Sequence, residues 1–248
     1  MEETRNTAAF ILNRQPYREN DSLVTVYTAD AGKLSLIARG TKKLRSKLAG
    51  HLEPITLADI MIIRGKSRDY IGSALTRVSY QGIREDLNKL YYAGQALSLF
   101  SRLVKENQAD ERLFFLLSRW LEALDESPQA EFRKQDGELL LSFFVLRLAS
   151  ELGYKPEIHS CLSCAKTIEP GRNYFSLLGG GIICGSCFDT NRQKEPSDLN
   201  FLTISDNCVK IIRFIMDNRF KMAEKLKIER KLAKELYNLV SRFLDFRF

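Results

Sequence analysis

Between Ala8 and Ser79 the apolar residues fall in short runs rich in β-branched and aromatic side chains, separated by turn formers. The runs Ala8 to Leu12, Leu23 to Thr28, Lys33 to Ala38, Ile55 to Ile63 and Tyr70 to Ser79 predict five strands. Asp30-Ala31-Gly32, Gly40, Gly50, Pro54 and Gly65 punctuate them. Five short antiparallel strands in so small a span suit a closed Greek-key barrel of the OB type. From Leu87 the period changes. Ala93, Ala96, Leu97, Phe100, Leu103 and Val104 recur at helical spacing. A second helix follows, capped by Asp110, with Leu113, Leu116, Leu117, Trp120, Leu121 and Leu124 on one face before Pro128. Trp120 is therefore expected in a core.

The most apolar stretch, Leu139 to Ala149, is broken by Ser142 and Arg147 and falls far short of the ~20 residues a bilayer helix needs. It predicts a buried central helix ending near Gly153. Two more helices close the chain, with Leu232, Leu236, Leu239, Val240 and Phe243 on one stripe, and Gln193 to Asn200 reads as an exposed connection. The predicted class is α+β: an N-terminal five-stranded OB-type β-barrel over residues 1–80, then an α-helical bundle domain over 81–155 and 200–248. A four-cysteine zinc-binding module is inserted at 156–199.

That module carries the sharpest chemistry. Cys161, Cys164, Cys184 and Cys187 form a C-x2-C…C-x2-C pattern in which two turns each aim two thiolates at a common centre. Four thiolates complete a tetrahedral Zn²⁺ and leave no position for water, so one structural ion per chain is expected and Lewis-acid chemistry is disfavoured. Tyr174 to Leu177 suits a strand, the Gly179-Gly180-Gly181 run a chain reversal, and Gly185 relief of crowding after Cys184. Two thioredoxin-like redox pairs are the rival reading, disfavoured because neither pair is expected to follow a strand and open a helix. Cys208 sits at an apolar helical position and reads as core; His159, two residues before Cys161, reads as an incidental loop histidine. Met1 to Thr7 is polar and acidic rather than secretory, so a reducing, cytoplasmic compartment is expected over disulfides.

Hydrophobic residues at 44% and charged residues at 28% describe an ordinary globular protein. The net charge of +7 is unevenly placed. Between Lys33 and Arg68 stand nine basic residues, Lys33, Arg39, Lys42, Lys43, Arg45, Lys47, Arg64, Lys66 and Arg68, against Glu53 and Asp59 alone. That window carries the whole excess and is the expected nucleic-acid-binding surface, since an OB barrel binds oligonucleotides with strands 2 and 3 and its 1-2 and 4-5 loops. Arg14 and Arg18 are placed in the first of those loops. Tyr27 and Tyr70 are aromatics able to stack on bases, each weighed against a core role. The basic stretch Arg219 to Lys234 is the fallback surface.

The order of these parts resembles the bacterial recombination mediator family RecO. The matching residues are the barrel, Gly32-Lys33…Ala38-Arg39-Gly40-Thr41-Lys42-Lys43, Leu152-Gly153-Tyr154, and Cys161-x2-Cys164…Phe175-Ser176…Gly180-Gly181-Ile182-Ile183-Cys184-x2-Cys187. The resemblance implies a DNA-repair protein of the RecF pathway that binds single- and double-stranded DNA and anneals complementary strands. It also implies a RecR partner and recognition of the acidic C-terminal tail of single-strand binding protein (SSB), so that RecA is loaded on coated DNA at the nucleoid. The helical half is then expected to offer an apolar groove edged by basic residues to that tail.

An enzyme is not expected. Only two histidines, His51 and His159, are present, and Gly65-Lys66-Ser67 lacks the first glycine of a phosphate loop because Ile60 stands in its place. A zinc hydrolase or deaminase would need an open metal position and a nearby glutamate, and Glu169 is the only carboxylate between the cysteine pairs. The alternative function is a non-enzymatic zinc-containing interaction scaffold whose basic face binds acidic proteins.

Overall fold

In the computed structural model the five expected strands form, as β1 (Thr4–Tyr17), β2 (Asp21–Thr28), β3 (Gly32–Ala38), β4 (Thr56–Ile63) and β5 (Tyr70–Val78). They close into a barrel in the order β1-β2-β3-β5-β4. All neighbours are antiparallel except β3 and β5, which pair in parallel through Ile37↔Tyr70 and Ala38↔Ile71. Strict alternation in β4, with Thr56, Ala58, Ile60 and Ile62 turned inward, shows why the sequence makes a half-buried sheet. Ala58, Ile60 and Ile62 meet Val24, Val26, Leu36 and Ile71 inside the barrel. The structure describes residues 3–128, 132–192, 200–218, 220, 222, 226 and 228–247.

Strand β1 runs on to Tyr17, so Arg14 lies in a strand and only Arg18 in the first turn. The reason is that β1 has two partners: its first half pairs with β4 and its second half with β2, across a bulge near Ile11 and Asn13. A one-turn helix α1 (Gln81–Arg84) leads to α2 (Leu87–Leu103) and α3 (Glu111–Glu126). Asp86 caps α2 by accepting from the Asn88 and Lys89 amides, and Asp110 caps α3 by accepting from Arg112. Trp120 is fully buried, as expected.

The chain folds as two compact units, Met1–Gln129 and Ala130–Phe248. This cut differs from the expected one, which placed residues 81–155 in a helical bundle with 200–248. The stripes on α2 and α3 find partners on the barrel: Phe114 meets Phe10 at 4.8 Å and Phe100 meets Tyr27 edge-on at 4.8 Å. A helical stripe specifies that a face is buried, not what buries it.

In the second unit α4 (Lys134–Glu151) has apolar residues on every side and is the central helix. It packs against α6 (Asp206–Asp217) and α7 (Arg230–Arg247). Between them lie β6 (Asn173–Ser176), β7 (Gly181–Cys184), α5 (Gly185–Arg192) and β8 (Phe201–Ile204). The expected ribbon hairpin is β6–β7, and β8 pairs with the free edge of β6, an additional strand the sequence reading did not include. Cys208 is buried on α6. The expected Gln193 to Asn200 connection lies outside the described residues as far as 199.

Candidate metal centre and nucleic-acid interface

The first cysteine turn is a tight loop. Cys161 donates its amide to the Lys166 carbonyl at 2.8 Å, Ala165 donates to the Cys161 carbonyl at 2.9 Å, and Ala165 holds φ at +58° to close the turn. The second turn is built differently: Cys184 ends β7 and Cys187 lies in the first turn of α5. The pair Cys184-x2-Cys187 thus follows a strand and opens a helix, which corrects the ground on which a redox pair was disfavoured. What sets it apart from such a pair is the company it keeps. The four sulfurs of Cys161, Cys164, Cys184 and Cys187 all lie within 4.8 Å of one another, with Cys164 and Cys184 Sγ at 4.0 Å. Sulfurs about 2.3 Å from a shared ion sit about 3.8 Å apart, so the donor set fits a tetrahedral, thiophilic metal with little movement. Neither His159 nor Glu169 belongs to the cluster.

Electrostatics within the cluster also suit a cation. Burial works to raise the Cys161 thiol, but the amides of Cys184, Cys164 and Ser163 outweigh it and bring it down to about 6. Cys187, hydrogen-bonded to the sulfurs of Cys184 and Cys164, is pushed up to about 12. Thiols this close titrate together and cannot all ionise without compensating charge, which a bound cation would supply.

The frame around the centre is close-packed. An added Cβ at Gly185 would stand 2.7 Å from the Arg172 carbonyl oxygen, so the expected relief of crowding is real. In the glycine run only Gly180 uses positive φ, at +68°. Gly179 is small for another reason: a Cβ there would lie 2.6 Å from Leu162, the residue after Cys161. Arg213 on α6 was not singled out from sequence. Its guanidinium donates to the Ile158 carbonyl at 2.8 Å and to that of Ile168 at 3.4 Å, clasping both flanks of the first turn. No local signal marks it, since its partners stand 45 and 55 positions away.

The basic residues of the first unit are gathered by barrel closure. Ile37 donates to the Asp69 carbonyl at 3.1 Å, which seats the end of β3 beside the β4–β5 loop. Arg39, the residue after β3, therefore lies at the barrel end that carries the β4–β5 loop with Lys66 and Arg68, and its Cζ lies 4.3 Å from the Tyr70 ring centroid. The connector after Arg39 is pinned to the β1–β2 turn. Gly40 donates to Asp21 Oδ1 at 2.9 Å, and Lys42 donates its amide to the Asn20 carbonyl at 3.1 Å and its ammonium to the Arg18 carbonyl at 3.0 Å.

The nine expected contact residues divide three ways. Arg39, Lys43, Arg45, Lys47, Lys66 and Arg68 are exposed and, among the described residues, have no carboxylate partner. Lys42 is exposed but spends its ammonium on Arg18, and Arg64 is paired with Glu3 at 2.6 Å. Lys33 stands apart. Its ammonium donates to the Ser101 carbonyl at 2.8 Å near the end of α2, because the outer face of the β2–β3 hairpin tip is covered by the helices of its own unit. Tyr27 is buried at the same place, with its hydroxyl donating to the Asp110 carbonyl, and burial pushes its pKa up to about 12. It is core, and of the two tyrosines weighed for stacking only Tyr70 is near the charges. Gly65-Lys66-Ser67 joins two antiparallel strands rather than a strand and a helix, unlike a phosphate loop. Of the fallback stretch, Lys231 and Lys234 are exposed on α7, while Arg219, Lys221, Lys225 and Lys227 lie outside the described residues.

Comparison with known proteins meets this arrangement from both ends. Residues 1–79 match the family described as Recombination protein O N terminal, and residues 84–248 match Recombination protein O C terminal. The chain belongs to the RecO family. A protein named DNA repair protein RecO from Dehalococcoides mccartyi (strain CBDB1) is 33% identical over 230 residues, spanning 93% of this chain and 85% of that protein. Its namesake from Alkaliphilus metalliredigens is 28% identical over 240 residues, 96% of this chain and 91% of that protein. One from Roseiflexus sp. (strain RS-1) is 29% identical over 238 residues, 96% and 79%. Among the described residues of this RecO-family chain, no helix is long and apolar enough to cross a membrane.

Proposed function

We propose that this chain is a DNA repair and recombination mediator rather than an enzyme. It binds single- and double-stranded DNA at the barrel end formed by Arg39, the Thr41 to Lys47 connector and the Arg64 to Arg68 loop. One observation carries the reading: β3–β5 closure brings two basic segments that are separate in sequence to one end of the barrel. Lysine and arginine there neutralise phosphates and release counterions, so affinity falls steeply with salt and is nearly indifferent to base order. Surfaces of that kind hold two strands without choosing between sequences, which suits annealing of complementary strands.

The family resemblance supplies the rest of the proposal. The chain works with RecR in the RecF pathway, recognises the acidic tail of SSB, and helps load RecA on SSB-coated single strands, in the cytoplasm at the nucleoid. For the tail, the groove expected in the helical half is proposed instead at a cleft of about 480 Å³ between the barrel and α2, with Leu12, Ile55 and Leu97 in its lining and Arg102 beside them. The metal is Zn²⁺, one per chain and structural, since four thiolates leave no open position for substrate.

A titration of bare oligonucleotide at several salt concentrations tests the central claim. Salt-sensitive binding is the expected result. Binding only to acidic proteins, with none to oligonucleotide at low salt, would make the chain an interaction scaffold instead.

A further inference from the structure

Arginines of the barrel include two contrasting groups. Arg5, Arg14, Arg64 and Arg77 pair with Asp30, Glu53, Glu3 and Asp59. Two others rest on tyrosine rings: Arg39 Cζ lies 4.3 Å from the Tyr70 centroid and Arg18 Cζ 5.3 Å from the Tyr17 centroid. Both arginines are exposed, both tyrosines are half-buried, and neither arginine has a carboxylate partner among the described residues. The two pairs occupy the same end of the barrel. Tyr17 and Arg18 enter the β1–β2 turn, which is bonded to the connector through Lys42, and Arg39 opens that connector beside the first residue of β5. Arg18 holds φ at +53°, an uncommon conformation for a side chain of its size.

A guanidinium is planar and weakly hydrated, so a ring under one face leaves the other face able to take a second flat π-system. For neutralising phosphate charge a lysine also serves, though without arginine's bidentate fork, and a carboxylate would be a stronger anchor than a ring. Ring support does something else: it keeps a flat surface presented to solvent with the charge uncompensated. Nucleobases are the flat partners that arrive with a polyanion, and only unpaired bases expose their faces, because in a duplex each face is covered by the next base. Leu44 agrees with this, since it stands wholly in solvent between Lys43 and Arg45 with no packing role.

We propose that Arg39 on Tyr70 and Arg18 on Tyr17 are two stacking platforms for unpaired bases, so that this end of the barrel reads single-stranded DNA by base faces as well as by phosphates. The proposal rests on the DNA-binding reading above, and its test separates the two. Affinities for an oligothymidylate and for an abasic oligomer of the same length and charge are measured at matched salt. The wild-type protein is expected to favour the thymidylate by about tenfold. Replacing both residues, Arg18→Lys with Arg39→Lys, keeps the charge and removes the plane. It should erase most of that preference, a loss of about three- to tenfold on thymidylate, with abasic binding and salt slope unchanged. The single variant Tyr70→Phe keeps the ring and should keep the preference, and unchanged melting of each variant shows that the barrel is intact. Equal wild-type affinity for the two oligomers, or a preference that survives the double substitution, overturns the platforms while leaving phosphate binding standing. Failure to bind either oligomer at low salt removes the DNA-binding reading and the platforms with it.

Discussion

The cysteine centre and the basic barrel end handle like charges in opposite ways. At the centre, two short turns drive four sulfurs to within 4.8 Å of one another, a cluster that is stable as thiolates only if a cation compensates it. At the barrel end, six cations point outward into water, where solvent screens them and no internal partner is needed. The first arrangement calls for a compensating ion within the fold, and the second leaves its charge to the solvent. On the proposed reading a metal would serve the folding of the second unit, while a polyanion would be a visitor to the first.

The contrast is broken most directly by removing metal. Chelation, or Cys161→Ser, should unfold residues 157–187 locally, since structural zinc supplies on the order of 10 kcal/mol in small modules. Proteolysis confined to that segment, with oligonucleotide affinity changed less than about twofold, is the expected pairing, because the barrel is a separate unit. Uptake should weaken as pH falls. Ligating thiols must lose their protons to hold a cation, and the neighbouring sulfurs push Cys187 up to about 12, so acid competes with metal and proton release should be measurable on loading.

Charge reversal at Lys43, Arg45 and Lys47 to glutamate should weaken single-strand binding by about tenfold or more and flatten the salt slope. Each lost phosphate contact accounts for about 0.7 of that slope. Metal content should not move; a wild-type slope would put the surface elsewhere, with α7 next to be tried.

Arg213→Ala tests whether the centre depends on support from outside its ligand loops. Losing the bonds to the Ile158 and Ile168 carbonyls should lower metal affinity by about tenfold without removing a ligand, as supporting shells commonly do. Competition with a chromophoric chelator reads it, and unchanged retention would show that the two turns hold themselves. The smallest effect is expected at Lys33→Gln. Because its ammonium already serves the Ser101 carbonyl, DNA affinity should change less than about twofold while stability falls by about 1 kcal/mol. A loss of affinity as large as that of the triple reversal would return Lys33 to the binding surface.

How far these regions were legible follows from the range of the interactions involved. Cys161 with Cys164, and Cys184 with Cys187, are local pairs whose chemistry is written in their spacing, so the donor set could be named from sequence. The barrel strands were legible for the same reason, since alternation along β4 is a property of neighbours. The partner of each buried face was not. The stripe of α3 pointed to burial, and only the fold set Phe114 against Phe10 of the barrel.

For the basic window the sequence determined composition: nine cations in one stretch, enough to name a charged surface. Which of them face solvent was decided by tertiary structure. Closure of β3 onto β5 set Arg39 against Tyr70 at the end of the barrel that carries the Arg64–Arg68 loop, pairing with Glu3 engaged Arg64, and the covering of the β2–β3 tip withdrew Lys33 and Tyr27. Arg213 belongs with these, because a hydrogen bond across 55 positions leaves no pattern in the chain. Backbone periodicity and short ligand spacings are set by covalent geometry and survive reading one residue after another; the neighbour that completes a buried face or a hydrogen bond is chosen only when distant segments pack.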